Sequence, residues 1–299
     1  VHDVLQSLKS LRNPLAAEAQ ILTGLIVMAD WIASNPEAFP MVVSGTQAQR
    51  VESGMRAIDL TGPWKPAKSY DDAHALFRDA FGWPSDFAAR PVQEAMVDAA
   101  KACTEPSLII LEAETGVGKT EAALAAAQVI AASVDAQGVY FAAPTMATAN
   151  GLLERTMNWA RNTTETGAVS SLYLAHSKNQ LSKPFRDLRF RDINEDADDP
   201  STNGEVVASS WMSGRRRGLL SNIVVGTVDQ VLMLALRQRY SMLRHAALAG
   251  KIIIFDEIHS YGAYTSDYLA TTLEWLAHYG ATVIMMSATL PSAEREKLI

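Results

Sequence analysis

A phosphate-binding loop is the first chemical feature of the chain. Residues 113–120 read AETGVGKT and follow a short apolar run at 108–111. The two glycines let backbone N–H groups turn toward phosphate oxygens, and the start of the next helix adds positive potential. Lys119 would reach the β- and γ-phosphates of ATP, and the Thr120 hydroxyl would ligate Mg²⁺. The predicted nucleotide-binding residues of this loop are Thr115, Gly116, Val117, Gly118, Lys119 and Thr120. The alternative is a plain glycine turn ahead of a helix.

Two adjacent acids follow a second apolar run. Residues 252–255 read IIIF, and Asp256, Glu257 and His259 come directly after them. Buried carboxylates are costly unless they are paired or bound to a metal. We therefore predict that Asp256 belongs to the Mg²⁺ shell, that Glu257 polarises the attacking water and that His259 lies beside the γ-phosphate. Together with Lys119, the two acids form the predicted catalytic set.

Two weaker signals gain weight from their order along the chain. Ser287 and Thr289 follow a third apolar run, and we expect their hydroxyls to hydrogen-bond His259 and the acid pair, which couples phosphate state to a nucleic-acid side. Gln93 precedes Lys119 by 26 residues (119 − 93) and could read adenine through its amide donor and acceptor. A surface glutamine that opens a helix is the alternative.

Two further strand ends have the small residues and hydroxyls that can hold a sugar–phosphate chain at helix N-termini. A run of three arginines would add phosphate charge, although a solvated helix face explains that run equally well. The predicted nucleic-acid-binding residues are Pro144, Thr145, Gly226, Thr227, Arg215, Arg216 and Arg217.

The motifs are spaced by an alternation of strands and helices. Apolar runs at 108–111, 139–142, 171–175, 223–225, 252–255 and 282–286 predict strands, and helices are predicted at 119–132, 145–160, 228–243 and 264–278. Continuous Val/Ile/Leu strands between helices indicate an α/β fold whose mainly parallel sheet is buried on both faces. Ligands bind at the carboxyl ends of such strands, where every motif above is found.

The first sixty residues differ from the rest and are predicted to form a small all-α segment. Helices are expected at 16–32 and 47–60, and the sequence TGPWKP at 61–66 is a linker, so we place a domain boundary after residue 62. Apolar residues recur at helical spacing along one side of the first helix. That side consists of Ala19, Leu22, Ile26, Ala29 and Ala33.

Composition is that of a soluble globular chain. Of 299 residues, 48% are hydrophobic and 20% charged, with a net charge of −7. Cys103 is the only cysteine, which excludes an internal disulfide and a cysteine-built zinc site and fits a cytoplasmic location. Residues 21–33 contain Asp30 and are too short to span a membrane, so no membrane association is expected. The chain begins with Val1 and ends just after a strand-like run, and both ends look cut.

The motifs resemble superfamily 2 helicases as a class and, more finely, the CRISPR-associated helicase–nuclease of type I systems. The segments that carry the finer likeness read APTMATAN at 143–150, WMSGRRRGLL at 211–220, VGTVDQ at 225–230, DEIHSY at 256–261 and LEWL at 273–276. The resemblance covers residues 85–295. It implies that residues 63–299 are the first RecA-like P-loop domain and that residues 1–62 close a histidine–aspartate nuclease domain.

The resemblance also implies substrates and partners. These are ATP with Mg²⁺, single-stranded DNA, an RNA-guided surveillance complex, and a divalent transition metal in the nuclease. Asp30, in the segment MADWI at 28–32, is similar to the family's last nuclease metal ligand, whereas a helix-end acid is the structural alternative. The adjacent pair His2 and Asp3 is interpreted as accidental.

We expect that this chain alone does not form a complete ATP site. The family's second RecA-like domain, with its arginine finger, would follow residue 299. We therefore expect this chain alone to bind Mg-ATP weakly and to hydrolyse it hardly at all. Two rival functions remain: another superfamily 2 enzyme such as an RNA helicase, and a nucleotide-gated binding module without turnover. The presence of Glu257, which a pure binder does not need, argues against the second.

Overall fold

A seven-stranded parallel sheet organises the chain. The computed structural model describes residues 16–42, 45–58, 60–66, 72–166, 168–176, 205–208 and 217–298, and every neighbouring strand pair within them is parallel. The strands are β1 (Leu108–Glu112), β2 (Gly138–Ala143), β3 (Val169–Ala175), β4 (Glu205–Val207), β5 (Ile223–Thr227), β6 (Lys251–Phe255) and β7 (Val283–Ser287). Their spatial order is β1-β7-β6-β2-β5-β3-β4, so the predicted α/β fold with a parallel sheet is confirmed.

Ten α-helices accompany the sheet in the described part of the chain. They are α1 (Ala16–Ala33), α2 (Gln47–Ala57), α3 (Ala73–Phe81), α4 (Pro91–Ala102), α5 (Lys119–Val134), α6 (Met146–Thr163), α7 (Val228–Leu232), α8 (Ser241–Ala249), α9 (Ala263–His278) and α10 (Ser292–Leu298). Short 3₁₀ turns occupy Gly218–Leu220, Met233–Ala235 and Ile258–Ser260.

The sequence explains why the central strands stay buried. All residues of β2, β5, β6 and β7 are buried, as expected for apolar strands covered on both faces by crossover helices. Helix α5 buries Lys119 and the ten consecutive residues 122–131, six of which are alanines. Small side chains let its backbone lie close to the strands, and this fixes the helix start, where the phosphate loop ends.

One long helix predicted from the sequence is absent. Instead of running through 228–243, the chain forms α7, a 3₁₀ turn and then α8. Helix α7 ends at Leu232, and α8 begins after Tyr240, whose φ of 65° is left-handed and uncommon for a non-glycine residue. No glycine or proline lies between these helices in the sequence, so apolar periodicity alone predicted one continuous helix.

Helix α1 packs on the sheet domain through a face that the sequence did not predict. A Cβ built on Gly24 would lie 2.5 Å from the Met242 carbonyl oxygen of α8, so the two helices touch at backbone distance. Ile26, on the apolar side of this helix, is 54% exposed, and the buried residues of α1 are Ala17 and Gly24. The apolar side seen in the sequence is therefore not the side that is buried.

Helix α1 also has the length and hydropathy of a membrane span, the one such helix in the described residues. This property rests on its 18 residues and composition alone, and most of the helix is not buried. Other helices pass the same test without crossing a membrane, so length and composition alone do not assign a membrane span.

The linker at 61–66 packs against the sheet domain. Trp64 is buried in the main core, with its ring 5.5 Å from that of Trp159. The Asn222 side-chain amide donates to the Gly62 carbonyl at 3.0 Å. These contacts attach the linker to the lobe from Gly62 onward, and the domain boundary after residue 62 stays a prediction.

Candidate nucleotide site

The phosphate loop joins β1 to α5 with the backbone that its glycines allow. Gly116 has φ 82° and Gly118 has φ 89°, both in the left-handed region where a side chain is disfavoured. Lys119 is 7% exposed, and its ammonium donates to the carbonyls of Ala113 (2.6 Å) and Glu114 (3.3 Å). The loop thus curls around the lysine head, which faces the space where phosphate would lie.

The acid pair follows β6 at the same sheet edge. Asp256 is 7% exposed, and burial, followed by the charge of Glu257, raises the pKa of its carboxyl to about 6. The nearby charges of Lys119 and His259 act in the opposite direction. Glu257 has φ 50°, a left-handed backbone that costs on the order of 1–3 kcal/mol for a non-glycine residue. A strained residue beside a destabilised carboxylate is typical of a site built for chemistry.

His259 connects the acid pair to β7. Its Nε2 is 3.2 Å from a carboxylate oxygen of Glu257, and its Nδ1 is 3.1 Å from the hydroxyl of Ser287. The Ala288 N–H lies 3.3 Å from the same Nδ1, and the tautomer of the ring decides whether Nδ1 accepts that N–H or donates to Ser287. The expected contact of Ser287 with His259 is therefore present. Thr289 takes part through its carbonyl, which accepts the Ser287 hydroxyl proton at 2.6 Å, while its side chain is exposed.

Loop residues and the acid pair line one pocket of about 400 Å³, whereas Val117, His259 and Ser287 are not among its lining residues. The lining also includes five residues that the sequence reasoning missed: Trp83, Phe87, Arg90, Glu121 and Arg155. The two aromatic rings lie 4.1 Å apart at one side and belong to a stack with Phe77 and Phe81. The aromatic residues at 77–87 were a signal in the sequence, but such clusters usually mark a core.

Gln93 is buried next to the phosphate loop and contacts it through its side-chain amide. It is 1% exposed, its Oε1 accepts the Arg90 N–H at 3.0 Å, and its Nε2 lies 3.5 Å from the Gly118 carbonyl. The Arg90 guanidinium in turn donates to the Gly116 carbonyl at 2.6 Å. Both ends of the Gln93 amide have partners in this structure, and its reading of adenine stays a prediction.

The predicted nucleic-acid residues have different environments. Thr145 is the N-cap of α6, with an exposed side chain that accepts from the Thr148 N–H. Gly226 is enclosed, since a Cβ there would meet the Tyr140 hydroxyl at 2.2 Å, and Thr227 is 6% exposed with its carbonyl bound by that hydroxyl. Packing therefore accounts for Gly226 and Thr227. Thr145, next to the half-buried Pro144, is the more accessible part of this predicted surface.

Arg217 and Asp30 lie away from the pocket lining. Arg217 lines a separate cleft with Trp31, Ser34 and Asn35, whereas Arg215 and Arg216 fall outside the described residues. Asp30 is exposed on α1. The described ranges contain no group of three or more His, Cys, Asp or Glu side chains able to hold a metal ion. The pair His2 and Asp3 also lies outside the described residues, and the metal role of Asp30 stays a prediction.

Comparison with known families agrees with this geometry. The DEAD/DEAH box helicase model matches residues 90–298. The chain belongs to this helicase family. A second model, the HD domain of Cas3, matches residues 2–39, which overlap α1.

Similar proteins sharpen the assignment. The chain is 39% identical over 286 residues to the CRISPR-associated nuclease/helicase Cas3 of Streptococcus thermophilus and 33% identical over 277 residues to the CRISPR-associated endonuclease/helicase Cas3 of Thermus thermophilus, covering 93% and 92% of this chain. The crystal structure of T. fusca Cas3-AMPPNP superposes with a TM-score of 0.75 at 29% identity, covering 94% of this chain and 30% of that one. The chain spans 30% of the length of both curated relatives. The resemblance to CRISPR-associated helicase–nucleases and the RecA-like fold are confirmed.

Proposed function

We propose that this chain is the nucleotide-binding part of an ATP-driven DNA motor in CRISPR interference. The observation that carries the proposal is one pocket in which Lys119, Thr120, Asp256 and Glu257 meet. They come from two motifs that lie far apart in the sequence, yet they reach a single sheet edge because parallel strands end together. Family membership and the Cas3 relatives support the motor role.

The residues present fit Mg-ATP. Lys119 presents a buried ammonium toward the loop, where a β- or γ-phosphate would replace carbonyl oxygens as its acceptor. Burial, followed by the charge of Glu257, raises the pKa of Asp256, and a cation held with Thr120 would stabilise its charged form. Bound Mg²⁺ neutralises charge on the transferring phosphate. Trp83 and Phe87 provide an apolar wall for a nucleobase.

Glu257 is the group that would take the proton from the attacking water. Its carboxylate is fixed by His259, which is itself fixed by Ser287 and the Ala288 N–H. This chain of contacts ends on β7, so the position of the base depends on the segment after the last strand. A change in that segment would reach the water-activating carboxylate directly.

The substrate and partner assignments rest on the relatives. We propose single-stranded DNA as the track, an RNA-guided surveillance complex as the recruiting partner, and the cytoplasm as the location. The relatives are named as nucleases as well as helicases. We further propose that Asp30 belongs to a nuclease centre with a divalent transition metal, and that an arginine finger from a second RecA-like lobe completes the ATP site.

The proposal is tested by ATP hydrolysis in the complete protein with and without single-stranded DNA. Lys119→Ala should abolish DNA-stimulated turnover, since a lost charge–phosphate contact in a desolvated site costs about 2–5 kcal/mol. Exposed Lys297→Ala on α10 is the matched control and should behave like the wild type. Near-normal turnover of Lys119→Ala would overturn the site. Stronger stimulation by RNA than by DNA would reassign the track.

A further inference from the structure

An arginine from a neighbouring helix reaches the nucleotide pocket. Arg155 lies in the middle of α6, yet it lines the pocket with Lys119 and Thr120. Its guanidinium NH1 is 3.1 Å from a carboxylate oxygen of Glu121, one residue after Thr120 on α5. The Arg155 side chain is 51% exposed and that of Glu121 15%. The ion pair therefore lies at the opening of the pocket, and Arg155 is its more exposed partner.

The ion pair is easily exchanged. An ion pair with one exposed partner is worth about 0–1 kcal/mol because water and salt screen it. A nucleotide polyphosphate carries several negative charges, and the planar guanidinium matches two phosphate oxygens at once. Bound phosphate is therefore a stronger partner for Arg155 than the single carboxylate of Glu121.

Glu121 lies next to the position that a bound phosphate would occupy. A Cβ built on Gly118 would lie 3.7 Å from its Oε2, so this carboxylate borders the loop whose N–H groups would hold the phosphates. A bound polyphosphate would bring like charge to Glu121, and that repulsion falls if a cation moves between the two anions. Arg155 is already paired with Glu121 and needs only a side-chain rotation to do so.

Helix α6 connects this pocket to the predicted nucleic-acid surface. The helix begins at Met146, directly after Thr145, whose side chain caps it. Arg155 follows Thr145 by ten residues (155 − 145), which corresponds to about 15 Å along a helix axis. A force on the Arg155 side chain therefore acts on the same rigid element that presents Pro144 and Thr145.

We propose that Arg155 is a nucleotide-contacting arginine held by Glu121 while the pocket is empty, and that its transfer to the nucleotide phosphates couples nucleotide state to DNA affinity through α6. The inference rests on the proposed function and deepens it by naming a coupling residue. Unlike an arginine finger, Arg155 comes from the same lobe as the phosphate loop, so it can respond to nucleotide before a second lobe closes.

The test uses the complete protein and two measurements. The first is the dissociation constant of Mg-AMPPNP and of Mg-ADP, and the second is the affinity for a fluorescent single-stranded DNA in the presence of each nucleotide. Arg155→Ala should weaken Mg-AMPPNP binding about tenfold, as expected for one charge-assisted contact, and should bring the ratio of DNA affinities in the two nucleotides toward one. Arg155→Lys should keep part of the nucleotide affinity, because the charge remains while the planar fork is lost.

Two further variants make the result decisive. Glu121→Gln releases Arg155 and should leave Mg-AMPPNP affinity unchanged or raise it, whereas an equal loss in Glu121→Gln and Arg155→Ala would show that the ion pair itself is needed and would overturn the exchange. Arg161→Ala, on the last turn of α6 and bonded only locally to Asn158, is the matched control and should match the wild type. If the wild type binds no Mg-nucleotide, the proposed function itself fails. If it binds and Arg155→Ala equals it in both measurements, only the exchange fails.

Discussion

The nucleotide pocket and helix α1 carry the two predicted chemistries, and the chain builds them differently. At the nucleotide site, the functional groups are held by hydrogen bonds and ion pairs: the buried Lys119 on loop carbonyls, and His259 between Glu257 and Ser287. On α1, Asp30 is a single exposed acid, and the helix meets the rest of the chain through the Gly24 face. The pocket contains features that lower stability and serve chemistry, whereas α1 shows only the packing of a helix.

The two regions differ in how the fold brings the residues of each site together. A parallel sheet gathers the ends of β1, β6 and β7 at one edge, so short motifs far apart in sequence form one pocket. A nuclease metal site needs several ligands around one ion. Among the described residues no such cluster surrounds Asp30. The predictions that follow separate the two regions, from the largest expected effect to the smallest.

The largest effect is expected for the water-activating carboxylate. Glu257→Gln in the complete protein should lower the turnover number for ATP by about 10²–10⁴-fold, the usual contribution of a general base, while Mg-AMPPNP affinity stays near that of the wild type. Steady-state kinetics and equilibrium binding measure the two quantities. Glu154→Gln, exposed on α6, is the control. Parallel losses of turnover and affinity would mean that Glu257 supports the fold.

A smaller effect comes from the titration of Asp256. Its pKa of about 6 in the folded protein exceeds the ordinary 3.8, so the folded state holds a proton that the unfolded chain releases between those values. Stability should therefore fall as pH rises through this window, and Asp256→Asn should raise the free energy of unfolding at pH 7 by on the order of 1–3 kcal/mol. Below pH 4 the difference should vanish. Denaturant unfolding of this chain at both pH values measures it.

The same carboxyl should make cation-dependent binding sensitive to acid. A protonated Asp256 cannot ligate Mg²⁺, so wild-type affinity for Mg-nucleotide should decline as pH falls from 7.5 to 5 through its pKa of about 6. Asp256→Asn should be weak throughout, with no such slope. A wild-type profile that is flat across this range would remove Asp256 from the Mg²⁺ shell.

The sequence predicted the pocket better than its surroundings, for a physical reason. Loop and acid motifs are local, since each places its own residues at a strand end, and Lys119 and Asp256 needed only the parallel sheet to meet. Trp83, Phe87 and Arg155 reach the pocket by tertiary packing of the α3–α4 loop and of α6, which no local pattern encodes. The burial of Gly226 and Thr227 and the break between α7 and α8 were missed for the same reason.

A stability comparison tests how α1 is attached. Gly24→Ala places a methyl group 2.5 Å from the Met242 carbonyl oxygen, and such overpacking costs about 1–3 kcal/mol despite the better helix propensity of alanine. Gly151→Ala, on α6 with nothing within 4 Å of the added Cβ, is the matched control and should stabilise by about 0.5–1 kcal/mol. Denaturant midpoints of both variants measure this. Stabilisation by both substitutions would show that α1 does not dock on α8 as described.

The smallest expected effect is that of Asp30→Ala on ATP hydrolysis. Asp30 does not line the nucleotide pocket and is exposed on a helix that touches the sheet domain through its Gly24 face, so its loss should leave DNA-stimulated turnover within about twofold of the wild type. Metal-dependent DNA cleavage by the same protein should fall by at least about tenfold if the carboxylate ligates the nuclease metal, because losing one ligand weakens binding and misplaces the ion. Asp30→Asn should keep the helix and lose the charge, which separates a ligand from a helix-end acid. Metal content per chain, measured beside cleavage, should decline in both variants. Unchanged cleavage and metal content would leave α1 as a packing element alone, whereas a matching fall in ATP turnover would show that the two regions are coupled.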